Sequence, residues 1–154
     1  MEAEYKQFLT DLWGGMDDGQ ILIWGYDGDQ RKQSYWCSSP ADAATQAARG
    51  IAAGMNVFMG AGLAQRAMGA DRRVLKSEVY GIAALWLDLD IADPVHSKGN
   101  LPATTDEALT LLREFPFDPS YIVHSGHGLQ AWWCFKEPWY FRSQYERADA
   151  ANLE

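Results

Sequence analysis

Apolar side chains recur at Tyr5, Phe8, Leu9, Leu12 and Trp13, the spacing of one helix face, and Gly14-Gly15 closes that stretch. The period then shortens. "QILIWGY" and "QRKQSYW" flank "DGD", a hairpin signal. Ser39 precedes Pro40 as cap and first-turn residue of a helix running through "ADAATQAARGIAA" to Gly54. "MNVFMGA" predicts a short buried strand, and the polar connection "QRAMGADRRVLKSE" leads to a long strand, "VYGIAALWLDLDI". After the loop "ADPVHSKGNLP", Thr104 and Glu107 form a capping box that opens the helix "DEALTLLREF". "SYIVHSG" and "LQAWWCFKEP" predict two paired strands, and "WYFRSQYERADAANLE" begins a last helix.

This order predicts an α+β fold of mixed or antiparallel sheets with flanking helices. The 154 residues suit a single domain with a sizeable core. Within it, residues 1–75 read as an N-terminal α/β layer and 76–154 as a strand–helix–strand–strand unit. No repeat, low-complexity tract or Walker-type phosphate loop is present in the sequence.

Charge narrows the possible partners. With 13 Lys and Arg against 21 Asp and Glu, the net charge is −8, which argues against a broad phosphate-gripping surface. Cys37 and Cys134 lie far apart with no CxxC spacing, so they read as reduced thiols of a cytoplasmic protein. No apolar run reaches the length of a membrane span, and "MEAEYKQFLT" is not a signal peptide.

Two motifs carry candidate chemistry. In "LWLDLDI", Asp88 and Asp90 are two apart on a strand and leave the same face, while Leu87 and Leu89 are expected to point into the core. Neighbouring carboxylates repel, and a divalent cation resolves the repulsion; Mg²⁺ is typically held by one or two carboxylates plus phosphate oxygens. The plainer alternative is a strand end where both aspartates meet solvent. The second motif is "HSGHGLQAWW". Gly126 and Gly128 bracket His127 in a tight turn where backbone can approach a ligand, and Ser125, the turn amides and His127 form a candidate phosphate cradle. Gln130 begins the next strand and is placed to face the same ligand. A solvated Gly- and Ser-rich hairpin turn is the competing reading. His124 reads as a core or edge histidine, without the further ligands of a zinc site. Trp132 and Trp133 are expected to split between the two strand faces. Asp27 and Asp29 belong to the hairpin turn. Asp71-Arg72-Arg73 reads as a solvated loop whose arginines could touch a phosphate backbone.

The succession of a D-x-D strand, a loop carrying His96, a capped helix and a strand–SGxG–strand resembles the archaeo-eukaryotic primase superfamily, specifically the primase-polymerases of phages, plasmids and integrated elements. The resemblance covers roughly Gly54 to Tyr140 and rests on "NVFMGAG", "LWLDLDI" and "SGHGLQAWWCFKEP". It implies an RRM-like catalytic unit. It also implies a nucleotidyltransferase adding nucleotides from (d)NTPs along a single-stranded DNA template with Mg²⁺ or Mn²⁺, in a two-metal mechanism, with a helicase domain or subunit as a further partner. Asp88 and Asp90 would then be the catalytic metal-binding pair, and Ser125, Gly126, His127 and Gly128 the triphosphate turn. The family's histidine usually stands five residues after the serine, where this chain has Gln130. Either Gln130 substitutes for it or His127 serves from the turn. The family also supplies a third acidic residue on a later strand, so the sequence reads as the N-terminal part of a longer protein. A metal-dependent nuclease on the same D-x-D face, or an inactive replication or interaction module, are the rival readings.

Overall fold

The computed structural model describes residues 2–92 and 100–152. His96 and the other residues of 93–99 lie outside the described residues. The fold is α+β with antiparallel sheets, and its elements follow the sequence pattern closely. Helix α1 (Glu2–Trp13) buries Leu9, Leu12 and Trp13. Strands β1 (Ile21–Tyr26) and β2 (Lys32–Cys37) form the expected hairpin, with Ile21 opposite Cys37 and Tyr26 opposite Lys32. At its tip the Asp27 carboxylate accepts from the amides of Asp29 and Arg31 and from Arg31 Nε. These bonds to the charged form, the Arg31 amide foremost, hold the Asp27 carboxyl below its ordinary range. Asp27 thus shapes the turn.

Helix α2 (Pro40–Ala52) is capped by Ser39, whose Oγ accepts from the Asp42 amide at 3.1 Å. It packs on β1, β2 and β3 (Asn56–Met59), and α1 packs on α2. The fit is close: a Cβ on Gly50 would lie 2.8 Å from Val57 Cγ2. Strand β3 pairs with β1 at the edge of a three-stranded sheet ordered β2-β1-β3. It is not the buried strand that "MNVFMGA" suggested, because an edge strand covered on one face leaves alternate side chains, Asn56 and Phe58, exposed.

A second sheet is ordered β4-β5-β7-β6. Strand β4 (Gly62–Ala64) was not legible in the sequence, being three residues long. Strand β5 (Val79–Asp90) follows a 3-10 turn at Lys76–Glu78. Helix α3 (Thr105–Arg113) begins at the predicted cap, Thr104 Oγ1 accepting from the Glu107 amide at 3.2 Å. Strands β6 (Tyr121–His124) and β7 (Gly128–Tyr140) form a hairpin. Trp139 and Tyr140 extend β7, so helix α4 (Gln144–Ala151) starts later than the sequence suggested, behind the Ser143 cap.

By compactness the chain divides into two units. The first comprises Met1–Ala83 and Phe135–Leu153, the second Ala84–Cys134. Strands β5 and β7 each contribute one part to either unit, which is why no linker marks the division. Among the described residues no helix is long and apolar enough to cross a membrane.

Cys37 is fully buried, and burial, then the nearby Asp42 charge and hydrogen bond, push its thiol up from 9.0 to about 12. The raised value favours the folded state below pH 9.0, a contribution lost as pH climbs from there toward about 12. Cys134 is only partly buried. A disulfide reagent at pH 8 should therefore label Cys134 in the native protein and reach Cys37 only after denaturation; equal native labelling rates would contradict the packing around β2.

Candidate functional site

Both sequence motifs fall in the Ala84–Cys134 unit. One face of its sheet is apolar and covered by α3: Leu129, Ala131, Ala108 and Leu112 form a buried cluster, with Leu89, Ile91, Leu109 and Trp133 packed against it. Alternation along a strand then sends Asp88 and Asp90 to the opposite face, together with Trp86. On β7 the same parity places Gly128, Gln130 and Trp132 on that second face. The stacking of Trp86 on Trp132, with centroids 5.8 Å apart and planes 23° apart, fixes this assignment. The Trp132-Trp133 pair does split, since Trp133 packs with Phe115 on the α3 side and donates its indole N–H to the Phe117 carbonyl.

The aspartates are not buried. Asp88 is exposed and Asp90 half-buried, so the carboxylates pay little desolvation. Leu87 departs from expectation too: it is 43% exposed and outside the α3 cluster that takes Leu89. The reason is length. A nine-residue helix spans about 13 Å against about 40 Å for a twelve-residue strand, so α3 covers only the far end of β5.

The second motif is a two-residue hairpin turn. Ser125 N donates to Gly128 O at 3.0 Å, and Gly126 takes the first central position with φ +98°, which hairpins of this kind reserve for glycine. One expected phosphate contact is lost here, because the Ser125 amide is already engaged in closing the turn. The Ser125 and His127 side chains lie in the exposed turn, and Gln130 is half-buried opposite Val123 of β6. His124 sits exposed on edge strand β6, the edge reading of that residue.

The backbone joins the motifs. Ile91 N donates to His127 O at 3.0 Å. A Cβ on Gly128 would collide with Leu89 O and lie 3.0 Å from Asp90 Cα. The turn is thus held against the end of β5 that carries Asp88 and Asp90. Trp86, with 36% of its surface exposed, was missed from sequence; its even-numbered position beside the aspartates was the available signal. Among the described residues no group of three or more His, Cys, Asp or Glu is arranged to hold a metal.

No protein-family model, curated protein or solved structure matches the chain.

The close approach at Gly128 gives a direct test. Gly128→Ala should lower stability in urea denaturation by about 1–3 kcal/mol, the usual cost of overpacking. Gly28→Ala, where an added Cβ meets nothing within 4 Å, should change it little. Equal stabilities for the two variants would mean that the turn is not pressed against β5.

Proposed function

We propose that the Ala84–Cys134 unit carries the catalytic face of a primase-polymerase-type nucleotidyltransferase, which adds nucleotides from (d)NTPs along a single-stranded DNA template. One observation carries this reading: the backbone contacts of Gly128 and His127 bring the Ser125–Gly128 turn to the acidic end of β5. A D-x-D strand and a glycine turn far apart in the sequence thereby share one short stretch of sheet.

Mg²⁺ or Mn²⁺ fits the donor set, since Asp88 and Asp90 supply two oxygen ligands and the ion keeps positions for water and phosphate oxygens. Charge makes the same point. Residues 84–134 hold seven acids and two cations, so an anionic triphosphate needs added positive charge to stay there. When bound, the metal supplies that neutralisation at the triphosphate. The chain's own residues then do the positioning. Asp88 and Asp90 would hold the cation, and Gly126 lets the turn approach phosphate without a side chain in the way. Ser125 and His127 offer hydrogen-bonding groups from the turn, and Gln130 offers a neutral amide from the same sheet face as the aspartates. Trp86 presents a ring surface beside them. Catalysis by such a face is orientation and charge stabilisation rather than covalent chemistry.

The two-carboxylate arrangement, with no three-ligand group among the described residues, favours a second reading, a replication or interaction module that keeps this face without turnover. Calorimetric titration of a nucleoside triphosphate with Mn²⁺ separates the two. Wild type should bind, and Asp88→Ala/Asp90→Ala should weaken binding by more than about tenfold, since even outer-shell partners of a metal are worth about 10–100-fold. Equal binding by both would place the nucleotide elsewhere, and binding by neither would support the inactive module. A primer-extension assay completes the test: triphosphate-dependent growth of a primer is expected, whereas shortening of the DNA without triphosphate would indicate a nuclease.

A further inference from the structure

The first unit holds a surface that this catalytic reading does not use. In the β2-β1-β3 sheet, Val57 faces α2, as its approach to Gly50 shows, and Gly25 pairs with Val57. Alternation sends Trp24, Tyr26 and Phe58 to the opposite face. There they form one aromatic group. Trp24 and Phe58 are cross-strand partners stacked at 4.6 Å with planes 19° apart, and Phe58 stacks with Tyr26 at 5.8 Å and 23°. Phe58 is 42% exposed, while Trp24 and Tyr26 are half-buried.

A cationic loop is fastened over this face. Residues 65–78 hold Arg66, Arg72, Arg73 and Lys76 against Asp71 and Glu78, a local excess of positive charge in a chain of net charge −8. Three hydrogen bonds tie the loop to β2: Ser34 N to Ala70 O at 2.6 Å, Ser34 Oγ to Arg72 O at 2.7 Å, and Trp36 Nε1 to Gly69 O at 2.6 Å. Ser34 is the partner of Trp24 and Trp36 that of Leu22, so the side-chain bonds anchor the loop on the aromatic face. The anchored loop sets the Arg73 guanidinium 4.7 Å from the Trp24 ring centroid. Lys32, opposite Tyr26, adds a second cation on the same face. Arg72 lies 3.9 Å from Glu78 in an exposed pair that costs little to give up.

Aromatic rings on a sheet flanked by arginine and lysine match the chemistry of a single polynucleotide strand. Trp24 is already engaged by Phe58 and Arg73, so unpaired bases pack on the exposed Phe58 ring and phosphates meet the cations, whereas a duplex hides its base faces. We infer that the Trp24–Tyr26–Phe58 face, with Arg73 and Lys32, is a binding platform for single-stranded nucleic acid. The proposal stands on the geometry of the first unit alone and needs neither a metal nor Asp88 and Asp90.

The test is fluorescence anisotropy of a labelled 20-nucleotide oligo-dT on the full chain in EDTA, with a duplex of equal length as control. Wild type should bind the single strand more tightly than the duplex. Phe58→Ala should weaken binding about fivefold or more, the effect of losing one stacked base, while Phe58→Tyr retains it. Arg73→Ala should lessen the salt dependence by about one unit of slope. Circular dichroism checks that each variant is folded. The proposal is overturned by absence of single-strand binding, by equal affinity for duplex, or by folded Phe58→Ala and Arg73→Ala variants that bind as wild type does. A wild-type dimer that Phe58→Ala converts to a monomer, without DNA binding, would overturn it in favour of a second copy on this face.

Discussion

The candidate site depends on one close backbone approach. Gly128 lies against Leu89 O and Asp90 Cα with no room for a methyl group, and Ile91 N donates to His127 O beside it. Without that approach, the turn at Gly126 and the carboxylates of Asp88 and Asp90 would be separate surface features, each with an ordinary explanation. With it, the turn is part of the same sheet as the acidic strand, and its position is fixed by ladder hydrogen bonding rather than by flexible side chains. The α3 helix supports this from behind, where Leu89, Leu129 and Ala131 share one apolar cluster with Ala108 and Leu112. On the opposite face Trp132 is buried as well, and it is the acidic end, with Asp88 exposed and Asp90 half-buried, that meets solvent.

The two units use their sheets in the same general manner with different chemistry. In each, helices take the apolar face. The first unit exposes rings bordered by cations, and the second exposes carboxylates beside a tryptophan stack. The overall acidity of the chain concealed this difference, because net charge averages over faces that a ligand meets one at a time.

Local signals were read well from sequence. Ser39, Thr104 and the Gly14-Gly15 stop lie where caps and terminations form, since a cap depends on residues within one helical turn. The β1–β2 hairpin followed from alternation on both sides of a short polar turn. What was illegible depended on partners distant in sequence. Strand β4 is too short to show a period, β3 looked buried because its edge position is set by β1, and Leu87 looked like core because the reach of α3 along β5 is a tertiary fact. The site was legible in its parts, Asp88, Asp90 and the Gly126–Gly128 turn, while their juxtaposition was an inference from resemblance. The loss of the Ser125 amide to the turn's own closure was not foreseeable, since it rests on the register of β6 against β7.

The most direct measurement of the central claim is paramagnetic broadening of backbone amide signals by substoichiometric Mn²⁺ in the presence of a nucleoside triphosphate. If the acidic strand and the glycine turn form one site, the signals of Asp88 through Ile91 and of Gly126 through Gln130 should broaden together, before any others. Broadening centred instead on Asp106 and Glu107, or on the cleft lined by Asp17, Glu137 and Glu146, would contradict it.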